Sequence, residues 1–464
     1  MQHNSIIAAI STPQGVGGIA VVRLSGVGCI AFVDKFFRSP RSKRLEDQSA
    51  NTIHFGSIVD GDEIVDEVLV SVFHAPHSFT GEESVEVACH GSVYIQQRIL
   101  RLFIDNGASL ARAGEFTQRA FANGKMDLAQ AESVADLIAS TSAATHRLAL
   151  NQLRGGVSSK LSVLREQLLN FTSLVELELD FSEEDVEFAN RDNLKDLAQE
   201  IEKHIDALAD SFQVGNAIKS GIPVAIIGET NAGKSTLLNV LLQEEKAIVS
   251  DVHGTTRDVI EDTLSIDGIM FRLIDTAGIR DTADEIEIIG IERTFKKLEQ
   301  ASVVLWLVDA TANEEHIRDV AEKILPRITN QKLILVFNKI DVVGCGVVMD
   351  RRRSVLENEI PDRVFISAKY EEGVSDLRNK LITAANIPEI GEQDVIITNI
   401  RHYEALRKAQ KAIQRVSEGL QMGISSDFLS QDIRECIYYL GEITGQISTD
   451  EIFGNIFGKF CIGK

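Results

Sequence analysis

The spacing of hydrophobic residues changes along this chain, and each spacing predicts a different kind of element. In the first 118 residues, short apolar runs bounded by polar residues predict strands, and a longer run predicts a helix at 93–102. The strands are predicted at 6–10, 19–24, 63–70 and 84–89. We therefore expect residues 1–118 to form a mixed α/β domain.

From about residue 119 onwards, apolar residues recur every three or four positions, which is the period of an amphipathic helix. Two such stripes precede residue 217 and a third follows residue 385. They consist of Leu161, Leu164, Leu168, Phe171 and Val175, then Leu194, Leu197, Ile201, Ile205, Leu208 and Phe212, then Leu406, Ala409, Ile413, Val416 and Leu420. Neither segment has an evident core of its own, so we expect 119–216 and 385–464 to pack together as one helical domain.

Residues 217–384, which separate the two helical segments, contain apolar runs typical of buried strands. They lie at 224–227, 271–274, 333–337 and 364–366. The simplest arrangement is a helical domain interrupted by an inserted α/β domain over 217–384.

One loop of this inserted domain has the composition of a phosphate cradle. Residues 228–235 read Gly-Glu-Thr-Asn-Ala-Gly-Lys-Ser, between the predicted strand at 224–227 and an apolar periodic run at 236–241. In such a strand–loop–helix unit, backbone N–H groups and the positive helix end point at the anion, the lysine reaches the outer phosphates and the serine hydroxyl binds Mg²⁺. The predicted nucleotide-binding residues of this loop are Asn231, Ala232, Gly233, Lys234, Ser235 and Thr236.

Three further motifs indicate that the bound base is guanine. Asp-Thr-Ala-Gly at 275–278 places a carboxylate near Mg²⁺ and a glycine N–H near the γ-phosphate. Asn-Lys-Ile-Asp at 338–341 ends in a carboxylate that can accept two hydrogen bonds from guanine donors, which adenine lacks. Ser-Ala-Lys at 367–369 can offer a backbone N–H to the guanine oxygen. Alone, each motif could be an ordinary turn, but together they predict a Ras-like P-loop G domain. The GTP-binding residues predicted from these three motifs are Asp275, Thr276, Ala277, Gly278, Asn338, Lys339, Asp341, Ser367, Ala368 and Lys369.

The residues that would activate water differ from the usual GTPase pattern. Ile279 follows Gly278, where a GTPase of the Ras type carries the glutamine that orients the attacking water. A replacement carboxylate is expected within the acidic stretch 281–287, although most carboxylates in that stretch would simply be solvated.

Composition limits the other possibilities. There are 47 Lys and Arg residues against 69 Asp and Glu residues, so the net charge is −22. Because nucleic-acid affinity comes largely from cations that neutralise phosphates, we expect this chain to contribute little direct affinity for a nucleic acid and a partner subunit to supply most of it. The cluster Arg351, Arg352 and Arg353 is expected to be a solvated surface.

The five cysteines contain no Cys-x-x-Cys pair, so neither a disulfide framework nor a zinc site is expected. The first residues show no signal peptide, and no apolar run reaches the roughly 20 residues of a transmembrane helix. A cytoplasmic location is therefore expected.

The Gly-Thr-Thr-Arg-Asp sequence at 254–258 and the hydrophobic Ile279 resemble the TrmE–Era branch of GTPases, and the whole chain is similar to the MnmE (TrmE) family of tRNA modification GTPases. The resemblance implies a K⁺-activated GTPase that switches on when two G domains dimerise. One difference is Thr230, where the family usually has proline.

The resemblance also implies roles for individual residues. Asn231 would give its side-chain oxygen to K⁺, Glu287 would orient the attacking water, and Thr256 would join Ser235 on Mg²⁺. The backbone carbonyls that complete the K⁺ shell belong to Ser250, Val252 and Thr255. The implied GTP-binding residues of this segment are Ser250, Asp251, Val252, His253, Gly254, Thr255 and Thr256.

The family's N-terminal domain forms a constitutive dimer and binds a tetrahydrofolate that donates a one-carbon unit, as methylene- or formyl-tetrahydrofolate. The matching positions are Arg23, Glu86, Lys125 and Lys464. Cations suit the glutamyl tail of a folate, and a carboxylate suits the donors of its pterin ring. Without the resemblance, Arg23 and Lys125 would be interpreted as surface charges.

The resemblance further implies an MnmG-like partner, which uses FAD and NADH, in a heterotetramer that modifies C5 of the tRNA wobble uridine. The group added is of the aminomethyl or carboxymethylaminomethyl type. Cys461, near the C-terminus, could be a nucleophile or redox thiol, although a small buried hydrophobe is the commoner role of a free cysteine.

The sequence fits two other functions less well. A ribosome-assembly GTPase of the Era type would need a basic RNA-binding appendage, and the acidic helical segments offer none. A non-catalytic folate-binding dimer would be expected to carry broken nucleotide motifs, but here the motifs are intact.

Overall fold

The structure is a computed structural model that describes residues 5–13, 15–180, 191–243, 262–274, 300–343, 355–386, 394–447, 456–457, 460 and 463. It divides into two compact units. The first comprises 1–139, 149–206 and 404–464, and the second comprises 140–148 and 207–403. The three-domain division with boundaries at 118, 216 and 384 stays a prediction.

The first unit begins with a sheet built from seven described strands. These are β1 (Ile7–Ile10), β2 (Gly17–Ser25), β3 (Phe37–Arg38), β4 (Thr52–Asp60), β5 (Glu63–Phe73), β6 (Ser84–Gly91) and β7 (Ser109–Leu110). Their order is β3-β4-β5-β6-β2-β1-β7, and every neighbouring pair is antiparallel except β1 and β7. Helix α1 (Cys29–Asp34) follows β2, and α2 (Val93–Asp105) follows β6. The four predicted strands and the predicted helix are confirmed, each within a few residues.

Strand β5 shows how the side-chain alternation of a strand makes one face of this sheet a core. Val68, Val70 and Val72 are buried, whereas Leu69 between them is 47% exposed. The buried valines belong to the same apolar cluster as residues of α1 and α2, so these two helices cover that face.

The rest of the first unit is helical. Its helices are α3 (Glu115–Ala122), α4 (Leu128–Ile138), α5 (Ala143–Leu153), α6 (Gly156–Asp180), α7 (Arg191–Ser220), α12 (Ile400–Met422) and α13 (Ser426–Thr444), with α5, α7 and α12 continuing into the second unit. The three predicted stripes are buried except for Leu197 and Phe212, which are half-buried. No helix of the described residues is long and apolar enough to cross a bilayer.

The helical segments before and after the inserted domain pack together, as predicted. The Asp206 carboxylate of α7 accepts a hydrogen bond from the Gln410 side chain of α12 at 2.5 Å. Arg434 of α13 forms an ion pair with Glu176 of α6, also at 2.5 Å.

The second unit contains a second sheet with helices around it. The strands are β8 (Ile222–Gly228), β9 (Asp262–Ile266), β10 (Ile269–Leu273), β11 (Val303–Asp309), β12 (Lys332–Asn338) and β13 (Arg363–Phe365). The helices are α8 (Lys234–Gln243), α9 (Glu314–Ile324), α10 (Ile340–Val343) and α11 (Val374–Ala385), with a 3₁₀ turn at Leu325–Arg327. The described strands have the order β13-β12-β11-β8-β10-β9 and are parallel except for β9, which pairs antiparallel with β10.

Successive residues of β11 contribute to different apolar clusters of this sheet. Leu305 and Leu307 belong to one cluster, and Trp306, the only tryptophan of the chain, belongs to the other. Trp306 is 1% exposed. The near-continuous apolar runs of β8, β11 and β12 follow from burial on both faces, which is typical of parallel sheets.

Candidate functional site

The loop between β8 and α8 has the backbone of a phosphate cradle, and two of its glycines are required by close packing. A Cβ on Gly228 would lie 2.2 Å from the Leu307 carbonyl oxygen, and a Cβ on Gly233 would lie 2.2 Å from Asn338 Nδ2. Gly228 has φ 148° and Gly233 has φ 100°, and Asn231 between them is left-handed at φ 65°. The loop leads into α8 at Lys234, so the helix N-terminus follows it directly.

Lys234 folds back over this loop. Its Nζ donates hydrogen bonds to the carbonyl oxygens of Gly228 at 2.7 Å and Glu229 at 2.6 Å. The ammonium group is thereby held at the opening of the loop, where the outer phosphates of a nucleotide bind in a cradle of this kind. Ser235 and Thr236, in the first turn of α8, are exposed.

Asn338 joins the phosphate loop to the Ser-Ala-Lys segment. Its Nδ2 donates to the Ala232 carbonyl oxygen at 2.8 Å, and its Oδ1 accepts from the Ala368 N–H at 2.9 Å. Asn338 is buried at the C-terminal end of β12, beside the ends of β11 and β13. One side chain therefore holds both the phosphate loop, which it contacts 106 residues away in the sequence, and the Ser-Ala-Lys segment, which it contacts 30 residues away.

The carboxylate predicted to recognise guanine is oriented by a serine. Asp341 Oδ1 accepts a hydrogen bond from Ser367 Oγ at 2.6 Å, and Ser367 is fully buried whereas Asp341 is exposed. A fixed, exposed carboxylate at this position can accept hydrogen bonds from the donors of a base. Lys369 follows in the same loop, and its Nζ lies 5.0 Å from the Tyr370 ring centroid.

Sequence reasoning missed two contacts of this site. Lys339 Nζ forms a 2.6 Å ion pair with Asp309 Oδ2, and His316 of α9 pairs with Glu229 of the phosphate loop. Partial burial raises the pKa of Asp309, but the hydrogen bonds from Lys339 and Thr311 and the charge of Lys339 outweigh burial and bring this pKa below its usual value. The one sequence signal for the first contact was Asp309, an aspartate at the end of the apolar strand β11.

Several predicted residues lie outside the described part of the chain. They are Ser250, Asp251, Val252, His253, Gly254, Thr255, Thr256, Asp275, Thr276, Ala277, Gly278, Glu287, Cys461 and Lys464. Of the predicted K⁺ and Mg²⁺ ligands, only Asn231 and Ser235 are described.

Two of the predicted folate residues are partners across the first sheet. Arg23 of β2 lies opposite Glu86 of β6, and Arg23 Nη2 and Nε lie 2.7 and 2.9 Å from Glu86 Oε1. The guanidinium carbon of Arg23 is also 5.7 Å from the Phe79 ring centroid and 5.8 Å from that of Phe116. Lys125 instead donates to the Pro76 carbonyl oxygen at 3.1 Å.

The described cysteines are buried thiols. Burial raises the pKa of Cys89 to about 11 and that of Cys436 to about 12, and it raises the pKa of Cys29 further. A thiol with such a pKa is not a nucleophile near neutral pH.

Comparison with known families covers nearly the whole chain. Residues 6–125 match the model of the GTP-binding protein TrmE N-terminus, and residues 128–461 match the model of the MnmE helical domain. The tRNA modification GTPase MnmE of Bacteroides thetaiotaomicron is 57% identical over 466 residues, covering all of both chains. Those of Parabacteroides distasonis and Flavobacterium johnsoniae are 56% and 50% identical, covering 99% and 100% of this chain and all of each relative.

Among solved structures, Aquifex aeolicus Era bound to GDP and aluminium fluoride aligns with 41% of this chain and 66% of its own, at 27% identity and a TM-score of 0.27. A TM-score at this level supports no structural inference, so the assignment depends on the family models and the full-length relatives. The chain belongs to the MnmE family of tRNA modification GTPases.

Proposed function

We propose that this chain hydrolyses GTP in its inserted domain, with K⁺ as activator, and that hydrolysis serves the modification of C5 of the tRNA wobble uridine. The modification would add an aminomethyl or carboxymethylaminomethyl group, with a one-carbon unit from a tetrahydrofolate. An MnmG-like partner would supply the flavin and nicotinamide chemistry.

The observation that carries the GTP assignment is the Asn338 bridge. It holds the phosphate loop, through Ala232, and the base-contacting loop, through Ala368, at hydrogen-bond distance from one side chain. Asp341, oriented by Ser367, offers acceptors to a guanine amide. A site built to accept hydrogen bonds from a ligand discriminates strongly against a ligand that lacks the donors.

The residues present suit the two cations. Ser235 presents an exposed hydroxyl in the first turn of α8, beside Lys234, where Mg²⁺ binds in phosphate loops of this type. Thr256 would be its second protein ligand. Asn231 presents a neutral amide oxygen on an exposed, left-handed residue of the loop, which suits K⁺. The carbonyls of Ser250, Val252 and Thr255 would complete that site.

K⁺ beside the phosphates would supply the positive charge that an arginine finger supplies in other GTPases. Lys234 would exchange its carbonyl partners for phosphate oxygens when nucleotide binds. Glu287 would orient the attacking water, because Ile279 has no polar group to do so.

The folate proposal rests on the Arg23–Glu86 pair, which combines a carboxylate with a guanidinium group that lies within 6 Å of two aromatic ring centroids. Lys125 and Lys464 would add cations for the glutamyl tail.

The dimer proposal rests on β4 and β5, where Ile53, Phe55 and Leu69 are exposed by 66%, 54% and 47%. Phe55 and Leu69 are register partners, so they form one apolar surface. Sedimentation of the Phe55→Glu variant as a dimer would contradict this interface.

The net charge of −22 supports a division of labour in which the MnmG-like partner binds most of the tRNA in a cytoplasmic heterotetramer. Tight, salt-sensitive tRNA binding by this chain alone would contradict that division.

GTP hydrolysis in K⁺ and in Na⁺ at equal ionic strength tests the central proposal. We expect strong stimulation by K⁺, its loss in Asn231→Ala, and slow turnover in Glu287→Ala with GTP binding retained. Asn379→Ala, an exposed asparagine of α11, is the matched control and should keep the K⁺ response. Equal rates in the two salts would show that the missing positive charge comes from another source.

A further inference from the structure

A loop at the edge of the first sheet has a high density of positive charge. Residues 35–44 read Lys-Phe-Phe-Arg-Ser-Pro-Arg-Ser-Lys-Arg, so five of these ten residues are basic and none is acidic, in a chain with 47 basic and 69 acidic residues. This basic loop includes β3, which is the edge strand of the described sheet. Its five cations are all exposed, and they are Lys35, Arg38, Arg41, Lys43 and Arg44.

The two ends of the basic loop meet at one carboxylate. Asp34 Oδ1 accepts a hydrogen bond from the Leu45 N–H at 2.7 Å, and Asp34 Oδ2 accepts one from Arg44 Nε at 3.2 Å. Phe37 and Leu45 belong to the apolar core of the domain and are 4% and 1% exposed. The loop is therefore anchored to the domain, while its cations lie on the surface.

Hydrogen bonds inside the basic loop fix its course. Arg38 Nη1 donates to the carbonyl oxygens of Lys35 and Phe37, both at 3.2 Å. Ser42 is left-handed at φ 53° and donates its N–H to the Ser39 carbonyl oxygen at 3.0 Å. A ligand that binds an ordered loop bears less entropic cost than one that must order the loop itself.

Only one of the five cations is neutralised by neighbouring carboxylates. Arg44 forms ion pairs with Asp34 and Glu46. Lys43 lies close to β4, because its positive charge, after partial burial, lowers the pKa of His54. The cations for which the described residues provide no ion pair are Lys35, Arg38, Arg41 and Lys43.

This arrangement suits one kind of polyanion. Cations two or three residues apart match a partner with repeated negative charges, and arginine can bind phosphate through two parallel hydrogen bonds. The aromatic side chains of the loop, Phe36 and Phe37, pack on the apolar core and offer no platform for stacked bases. Contacts with phosphates alone position a nucleic acid without reading its sequence.

We propose that the basic loop contacts the phosphate backbone of the tRNA that is to be modified and holds it beside the first unit. The inference rests on the proposed tRNA modification and adds to it a contact surface on this chain. Four unpaired cations supply modest affinity, so the loop positions the tRNA while the partner subunit binds most of it. Strands β4, β5 and β6 separate β3 from β2, so the loop is distinct from the proposed folate residue Arg23.

Fluorescence anisotropy of end-labelled, unfractionated tRNA, titrated with the full chain between about 50 and 200 mM KCl, tests the proposal. We expect weak, salt-dependent binding by the wild type. The triple variant Arg38→Ala, Arg41→Ala and Lys43→Ala should bind at least about tenfold more weakly at the lowest salt concentration. The slope of log affinity against log salt concentration should fall in magnitude by roughly 2 to 3, because three phosphate contacts are lost.

The matched control removes the same charge from a different part of the chain. Replacing the three arginines at 351–353 by alanine also removes three positive charges, and this variant should bind tRNA as the wild type does. An equal loss of affinity in both triple variants would mean that net charge alone governs binding, and it would overturn the inference.

A milder variant keeps the test decisive if the triple variant does not fold. Arg41→Gln combined with Lys43→Gln leaves the hydrogen bonds of Arg38 in place. It should show a smaller loss of tRNA affinity in the same direction, and unchanged affinity in either folded variant would overturn the inference.

Vesicles of phosphatidylserine and phosphatidylcholine distinguish RNA from a membrane surface as the partner. A wild type that binds no tRNA at the lowest salt concentration, whether or not it binds the vesicles, would overturn the inference. GTP hydrolysis in K⁺ decides the proposed function separately, because the basic loop belongs to the first unit and the phosphate loop to the second. The triple variant should hydrolyse GTP at the wild-type rate, whereas failure of the wild type to hydrolyse GTP would overturn the proposed function.

Discussion

The side-chain amide of Asn338 donates a 2.8 Å hydrogen bond to the carbonyl oxygen of Ala232, and this bond connects the end of β12 to the phosphate loop. Because the same amide accepts from Ala368, its removal should loosen two loops at once. We expect Asn338→Ala to weaken GDP binding by at least about tenfold, since two buried backbone groups lose their partner.

Fluorescence competition with a labelled nucleotide measures this change, and Asn379→Ala is the control. Near-normal GDP affinity in Asn338→Ala would mean that the two loops hold their positions without the bridge.

Gly233→Ala should damage the same contact from the opposite side. The new Cβ would lie 2.2 Å from Asn338 Nδ2, on a residue with φ 100°. We expect loss of measurable GDP binding in a protein that still folds. Gly268→Ala is a matched control, because Gly268 also has positive φ, 80°, but its added Cβ would meet only Ala143 Cβ at 3.8 Å. That control should lose about 1 kcal/mol of stability from backbone strain and keep GDP binding.

Stability at acidic pH should depend on Glu115. This carboxylate is buried, accepts the Arg112 N–H at 2.9 Å and pairs with Arg119 at 3.1 Å. Burial raises the pKa of Glu115, but these hydrogen bonds and the two positive charges outweigh burial, so the folded pKa lies below the usual value. A lowered folded pKa stabilises the protein above the unfolded pKa of about 4.3, and this stabilisation is lost as pH falls through the folded pKa.

Glu115→Gln should therefore destabilise the first unit by about 3 kcal/mol at pH 7, with the difference from the wild type shrinking below about pH 4. Urea denaturation followed by circular dichroism, at both pH values, measures it. Asp105→Asn, in an exposed pair with Arg101, should have little effect at either pH. A penalty of equal size at both pH values would point to lost packing rather than lost charge.

The Arg23–Glu86 pair should determine folate binding if the first unit holds a tetrahydrofolate. We expect Arg23→Met and Glu86→Gln each to weaken tetrahydrofolate binding by about tenfold, because each removes a charged partner of the ligand. Equilibrium dialysis with 5-formyl-tetrahydrofolate measures the affinity. Glu63→Gln, which breaks an exposed 2.7 Å pair between Glu63 of β5 and Arg98 of α2, is the control and should bind normally.

Some elements were predictable because their residues carry a local signal. The predicted strands of the first sheet have regular patterns, and β5 keeps its valines on one face throughout. Strand β4 was not predicted, because its register shifts between Ile58 and Val59 and its outward positions include Ile53 and Phe55. Polar and apolar residues alternate at 52–55, but the apolar ones there face outward whereas Ile58 is buried, so the apolar positions do not keep to one face along the strand.

The candidate site likewise contains some residues that the sequence reveals and others that it does not. Gly233, Lys234 and Asp341 belong to motifs of fixed spacing, which a single sequence reveals. Asp309 lies 30 residues from Lys339, and only the order of β11 and β12 in the sheet brings the two together. Contacts between neighbouring strands depend on topology, which the spacing of residues along the chain does not encode.

Trp306 gives this chain a built-in optical label. As the only tryptophan, buried in β11, it belongs to the second unit alone. Selective excitation of its indole ring therefore reports the unfolding of the nucleotide-binding unit without any signal from the first unit. Circular dichroism, by contrast, reports helices and strands of both units. Comparing the two signals in one denaturation experiment would show whether the two units melt as a single cooperative body or one after the other.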